Sequence, residues 1–163
     1  MSSFDRRTFL LMPAALAACG FEPVYAPGGA GSQLYGKVAV SAPDSVESFL
    51  LVQNLEQQLG RSASSGNVYD LDIRVSTVTS AAAITTTNET NRYSIDGSAS
   101  FALRSNETGQ IITSGTVTDF VGYSAAGSTV STLADERDAK ERLMVILSGQ
   151  IMNRLYATPG LTT

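Results

Sequence analysis

The sequence predicts an α+β protein: a two-layer sandwich of about four mostly antiparallel strands with two helices on one face, in the order β-α-β-β-β-α. Three observations carry this. Tyr69, Leu71, Ile73 and Val75 alternate with Asp70, Asp72, Arg74 and Ser76, the mark of a strand with one wet face. The segments after it are joined by turns so short that they must be antiparallel neighbours. On either side of this meander lies a segment with apolar residues at helical spacing.

In chain order, the domain is expected over residues 34–158. Leu34–Ser41 alternates weakly and is β-branched at Val38 and Val40, so a short strand is expected there. Pro43 breaks it. Asp44 is a good helix N-cap, and Glu47 three residues on completes a capping-box-like pair. The helix that follows carries Val46, Phe49, Leu50, Leu55 and Leu59, with Gly60 as its stop. Residues 61–67 form a Ser/Gly/Asn loop. After the strand at 69–76, Thr77–Thr87 either prolongs it or overhangs the sheet edge, and Asn88–Asn91 connects to the next strand. There Tyr93, Ile95, Ala99, Phe101 and Leu103 alternate, while Gly97 interrupts their side and marks a bulge or a close contact.

The turn Asn106-Glu107-Thr108-Gly109 leads into Ile111, Ile112, Val117, Phe120 and Val121. Tyr123–Thr132, rich in Ser, Ala and Gly, reads as loop. A closing helix is expected from about Ala134 to Tyr156, with Ala139, Leu143, Ile146, Leu147, Ile151 and Leu155 as its apolar stripe. Asp135 and Glu136 would sit in its first turn, near the positive end of the helix dipole. Pro159-Gly160 closes the fold, and 159–163 is a tail. Each strand has one apolar face, so both helices should cover the same side and leave the other side polar.

The N-terminal stretch has a different character. Arg6-Arg7, an apolar run from Phe9 to Ala18 and small residues before a cysteine describe a secretory signal peptide over 1–18. The run is far shorter than the roughly 20 residues of a membrane-spanning helix. Leu16-Ala17-Ala18-Cys19 resembles the lipobox of bacterial lipoproteins, in which the cysteine thiol receives a diacylglycerol. The expected mature protein therefore starts at a lipidated Cys19, carrying acyl chains such as palmitate, and three such chains would anchor it firmly. Residues 19–33 would be a lipidated N-terminus and flexible tether, with Pro27–Ser32 its loosest part. Arg6-Arg7-Thr8-Phe9-Leu10 also fits a twin-arginine signal as well as a plain Sec signal. Gly20, where an aspartate resembles an inner-membrane retention signal, favours the outer membrane.

Composition excludes several function classes. Removal of 1–18 takes Arg6, Arg7 and Asp5 from 11 basic and 15 acidic residues, which leaves 9 against 14 and a net charge of −5. A nucleic-acid binder would instead show a basic face. Without any histidine, and with Cys19 acylated, Ser–His–Asp and Cys–His catalysis, most zinc sites and any intrachain disulfide are ruled out. Asp70 and Asp72 lie about 7 Å apart on one strand face, a spacing open to glycosidase-like chemistry but ordinary for a solvated strand. Gly28-Gly29-Ala30-Gly31 lacks the lysine and helix entry of a P-loop. No enzyme activity and no cofactor are expected.

Several stretches together resemble the LptE family of outer-membrane lipoproteins, in its alphaproteobacterial form. These are Cys19-Gly20-Phe21-Glu22-Pro23-Val24-Tyr25, the first helix ending at Leu59-Gly60, and the Tyr69-Asp70-Leu71 strand opening. They continue with Gly115-Thr116-Val117, Phe120 and Tyr123, the Asp138-Ala139 helix entry and the Asn153-Arg154-Leu155 helix end. The resemblance spans 19–163 and implies a sandwich of helices on a four-stranded sheet. It implies further a plug in the lumen of the very large β-barrel LptD, which it would help to assemble for lipopolysaccharide insertion, and it implies lipopolysaccharide binding. A barrel lumen is polar, and Thr77–Asn91 is a surface of the required kind. Phosphate recognition would fall to arginine, with Arg92, Arg74 and Arg104 on the meander as candidates. Arg137, Lys140 and Arg142 in the last helix are further cations, with Glu136 placed to pair with Lys140. A lipid-anchored subunit of another envelope lipid-transport complex is the alternative.

Overall fold

The computed structural model describes residues 24–25, 27–60, 67–84, 90–125, 128–159 and 161. The expected signal peptide, Cys19 and most of the loop at 61–67 lie outside the described residues, as do residues 85–89. The elements are α1 (Ala30–Leu34), β1 (Val38–Val40), α2 (Val46–Leu59), β2 (Tyr69–Ile84), β3 (Thr90–Ser105), β4 (Ile111–Ser124) and α3 (Thr129–Tyr156). The sheet order is β1-β2-β3-β4, with β1 parallel to β2 and the other pairs antiparallel. A parallel pair needs a crossover, and α2 supplies it. This is the expected α+β sandwich, with one short helix added.

That helix corrects the reading of 27–32 as a tether. Ala30, Gly31 and Leu34 of α1 are buried, and the Gly31 N–H donates to the Val24 carbonyl at 2.9 Å. Because Leu34 belongs to α1, the first strand shrinks to three residues. The other end of the chain is tied down too: Leu161, expected in a tail, reaches the core.

Helix α2 starts one residue later than Asp44 implied. Ser45 is the N-cap, its Oγ accepting from the Ser48 N–H at 3.1 Å while the Ser45 N–H donates to Ser48 Oγ at 2.9 Å. This is a capping box with serine in place of the expected Asp44–Glu47 pair. The buried face is also rotated. Ser48, Leu51, Val52, Leu55 and Leu59 are buried, whereas Val46 and Phe49, expected in the core, are 70% and 55% exposed. The neighbour that sets this rotation is α3, met through Glu47–Lys140 and Gln58–Ser148. At the other end Gly60 adopts φ +72°, a conformation that costs glycine little.

Strand β2 runs on to Ile84, so the Thr/Ala stretch does prolong the strand. Of the two readings for Gly97, the close contact is right. Pairing runs unbroken across it on both sides, and a Cβ there would stand 2.8 Å from Leu143 Cδ2 and 3.2 Å from Leu147 Cδ1. Helix α3 thus lies directly on the β3 backbone.

Helix α3 begins at Thr129, capped by Ser128, so most of 123–132 is strand end and helix rather than loop. Asp135 and Glu136 consequently fall beyond the first turn, which holds no acidic residue. Ala139, Leu143, Leu147, Ile151 and Leu155 are buried as expected, and Met144, Ser148 and Met152 join them. Ile146, at 39% exposure, stays out. The buried Ser148 hydroxyl is satisfied by the Val145 carbonyl at 2.8 Å. Gln150 Nε2 donates to Asp119 Oδ2 at 2.7 Å and ties α3 to β4. All three helices contribute to one core against one side of the sheet, with Leu71, Ile95, Ala99, Phe101 and Leu103 as its floor.

Candidate functional site

The two-residue period of a strand decides what the other side of the sheet presents. Odd-numbered residues of β2, of β3 and, from Thr113 onward, of β4 turn to the helices, and even-numbered ones face away; a register shift at the start of β4 reverses this for Ile111 and Ile112. No described helix covers that outer face. Its centre is a field of hydroxyls from Ser98, Ser100, Ser114, Thr116 and Thr118. Three acids, Asp70, Asp72 and Asp96, share it with Arg74, Arg92 and Arg104, so the field is close to neutral.

All three candidate arginines therefore lie on one face, as their even numbers require. They do not converge. Arg92 and Arg104 are twelve residues apart on β3, about 40 Å, and Arg74, opposite Ser100, falls between them. Arg104 donates from Nη1 to the Gly109 carbonyl at 2.9 Å and so braces the β3–β4 turn. Arg74 shares a shallow groove with Asp44, Asp72, Ser100, Ser114 and Thr116. Arg92 lines another, at the far end of the sheet, with Ser94, Phe120, Gly122 and Ser124. Behind this second groove the rings of Tyr93 and Tyr123 stack, centroids 5.4 Å apart and planes 15° from parallel.

The helix cations belong to the opposite layer. Lys140 binds Glu136 at 3.1 Å, the expected pair, and also Glu47 at 3.2 Å. The Glu136 bond, seconded by Glu47, raises the pKa of its ammonium. Arg142 pairs with Asp138 at 2.9 Å, and Arg137 is exposed. Asp70 and Asp72 stay exposed, and Asp70 accepts from Asn106 Nδ2 at 3.2 Å.

Two residues of the outer face went unread in the sequence. Val78, Asp96 and Phe120 stand in one row across β2, β3 and β4, with Val78 63% and Phe120 67% exposed. The sequence reads Phe120 only as one apolar residue of its strand, beside Val117 and Val121. Its even number beside two odd ones was the available signal. Among the described residues no group of acids and cysteines could hold a metal ion, and no helix is long and apolar enough to cross a membrane. What the face offers is hydrogen bonding over a broad, neutral, hydroxyl-rich surface.

The family model for LptE, described as lipopolysaccharide-assembly, matches residues 35–155. No curated protein matches the chain. Among solved structures, a protein from Caulobacter crescentus superposes with a TM-score of 0.64 at 20% identity, covering 78% of this chain and 92% of its own. The rare lipoprotein B from Shewanella oneidensis gives 0.56 at 11% identity, over 73% of this chain and 91% of that one. A minor lipoprotein from Acinetobacter baumannii gives 0.56 at 17%, over 76% and 92%. At such identities the superpositions establish a shared fold.

Proposed function

Since the chain belongs to the LptE family of lipopolysaccharide-assembly lipoproteins, we propose that it acts as a non-enzymatic plug and assembly factor inside an LptD-like outer-membrane β-barrel. The outer sheet face carries this reading. A barrel lumen is lined with polar side chains, and an object lodged there is best served by short hydroxyls with balanced charge. Ser98, Ser100, Thr116 and Thr118 supply them. Each can donate or accept, so the surface adapts to either kind of partner group on the wall.

Lipidation at Cys19 would hold the protein at the periplasmic side of the outer membrane. From Cys19 to Val24, where the described chain begins, five residues span at most about 18 Å, so the anchor would keep the fold close to the bilayer. Of the three arginines, Arg92 is the best placed for lipopolysaccharide, because it lines a groove with an exposed aromatic beside it. An arginine for phosphate and Phe120 for an acyl chain suit an amphiphile.

The test is to tag the C-terminus, extract membranes in mild detergent and identify what co-purifies in near-equal amount. A very large β-barrel in one-to-one ratio is expected. A clean monomer, or an inner-membrane transporter in its place, would overturn the proposal.

A further inference from the structure

The distal half of β2 is bare on both faces. Val78, Thr79, Ser80, Ala81 and Ala82 are all exposed, since α3 packs chiefly over β4 and β3. Its outer rim is bare as well. β1 pairs with β2 only at Tyr69–Leu71. Ser41 adds two bonds, its N–H to the Leu71 carbonyl and its Oγ to the Ile73 N–H. Beyond Ile73 no described residue bonds to that rim.

The bonds already made tell which backbone groups point outward. Tyr69 and Ile73 offer their N–H, and Leu71 its carbonyl, to the β1 side. By the two-residue period, Val75, Thr77 and Thr79 point the same way, while Val78 bonds inward to β3. Natural edges are usually blunted by lysine, proline or an inward-pointing charge. From Val75 to Ala82 this rim has none of these.

We infer that β2 pairs edge to edge and antiparallel with β2 of a second copy of this chain, about a two-fold axis at Val78. The sequence is self-complementary about that point. Val78 meets Val78, Thr77 meets Thr79, Ser76 meets Ser80 and Val75 meets Ala81, pairs that match in polarity and, in the first three, in size. Arg74 meets Ala82, so no charge opposes its like. Thr77 and Thr79 exchange both backbone bonds, which leaves Val78 opposite its counterpart as a non-hydrogen-bonded pair.

Two features pin this register. A centre moved toward Ser76 drives one strand into the rim occupied by β1, and a centre moved toward Ser80 runs into the irregularity between Ala81 and Ala83. Since the axis stands perpendicular to the sheet, both sets of helices stay on one side of an eight-stranded sheet. The pairing covers seven residues per strand, so the dimer is concentration-dependent and gives way when another partner claims the edge. This inference stands apart from the barrel role, and either can fail alone.

The test uses full-length protein in detergent, free of any barrel partner, in a Cys19→Ser background that removes the sole native thiol. In a non-hydrogen-bonded pair the two Cα atoms lie about 4.5 Å apart, within disulfide range. Val78→Cys should therefore oxidise to a covalent dimer. Arg74→Cys should stay monomeric, because its counterparts would be about 27 Å apart. Sedimentation of the protein without either cysteine should show reversible dimers, and Thr79→Pro, which deletes one outward N–H, should abolish them. Equal cross-linking of both cysteine variants, or no cross-link with either, would overturn the inference.

Discussion

The hydroxyls of Tyr25 and Tyr156 lie 2.9 Å apart, joining the N-terminal segment to the last turn of α3 across 131 residues of sequence. Their rings meet edge to face with centroids 6.0 Å apart. Burial, together with the Tyr25 hydrogen bond, pushes the Tyr156 phenol well above its ordinary pKa of 10. The folded state therefore holds the proton more tightly than the unfolded chain. The resulting stabilisation is complete below pH 10 and disappears as pH rises from there through the folded-state pKa. Lys140, also raised, loses its pairs in the same direction. Denaturation midpoints measured from pH 7 to 11 should thus fall in alkali, and less steeply for Tyr156→Phe than for the native sequence. Equal slopes would show that the tyrosine pair is not linked to folding.

At Gly97 a single methyl group is enough to part the layers. The Cβ of Gly97→Ala would stand 2.8 Å from Leu143 Cδ2, and forced repacking of this kind costs about 1–3 kcal/mol. Leu143→Ala made together with Gly97→Ala should recover part of the penalty belonging to the clash. Chemical denaturation of the two single variants and the double variant measures it as a coupling energy.

Leu143 is fully buried and Phe101 nearly so. Truncation to alanine should destabilise the fold by about 2–5 kcal/mol at Leu143 and about 3–5 kcal/mol at Phe101. Phe120→Ala, on the exposed face, should cost far less. A loss at Phe101 no larger than at Phe120 would contradict the assignment of the two faces.

The position of the cap separates Ser45 from Asp44. Ser45→Ala removes the acceptor for the Ser48 N–H and should cost about 1 kcal/mol. Asp44, which accepts from the Ser48 hydroxyl, should cost less when replaced by alanine. Thermal unfolding of the two variants ranks them.

Cys19 and Arg92 test the proposed role. Cys19→Ser should prevent acylation and move the protein out of the membrane fraction, unless a barrel retains it. Arg92→Ala should weaken lipopolysaccharide binding while leaving the unfolding midpoint unchanged, since Arg92 is exposed. Unchanged affinity, measured by titration against lipopolysaccharide, would remove Arg92 from the site.

Much of this architecture was determined by sequence alone. Residues 69–76 and 93–103 alternate because each strand is half wet and half dry, and the pattern is written in neighbours two apart. The same alternation placed Arg74, Arg92 and Arg104 on one face. That they stand apart along it was not legible, because strand register comes from pairing over long sequence separations.

Other features were decided only by tertiary structure. Pro27–Ser32 has a linker's composition, yet Ala30 and Gly31 are buried, held by the Val24 carbonyl and the docked Tyr25. Val46 and Phe49 look like core and lie outside, since α2 must turn Ser48, Leu51 and Leu55 inward to pack. Local periodicity states that a segment has an apolar face. Which residues that face finally buries depends on where other segments arrive, and Val78 and Phe120 meet solvent because no described helix crosses above them.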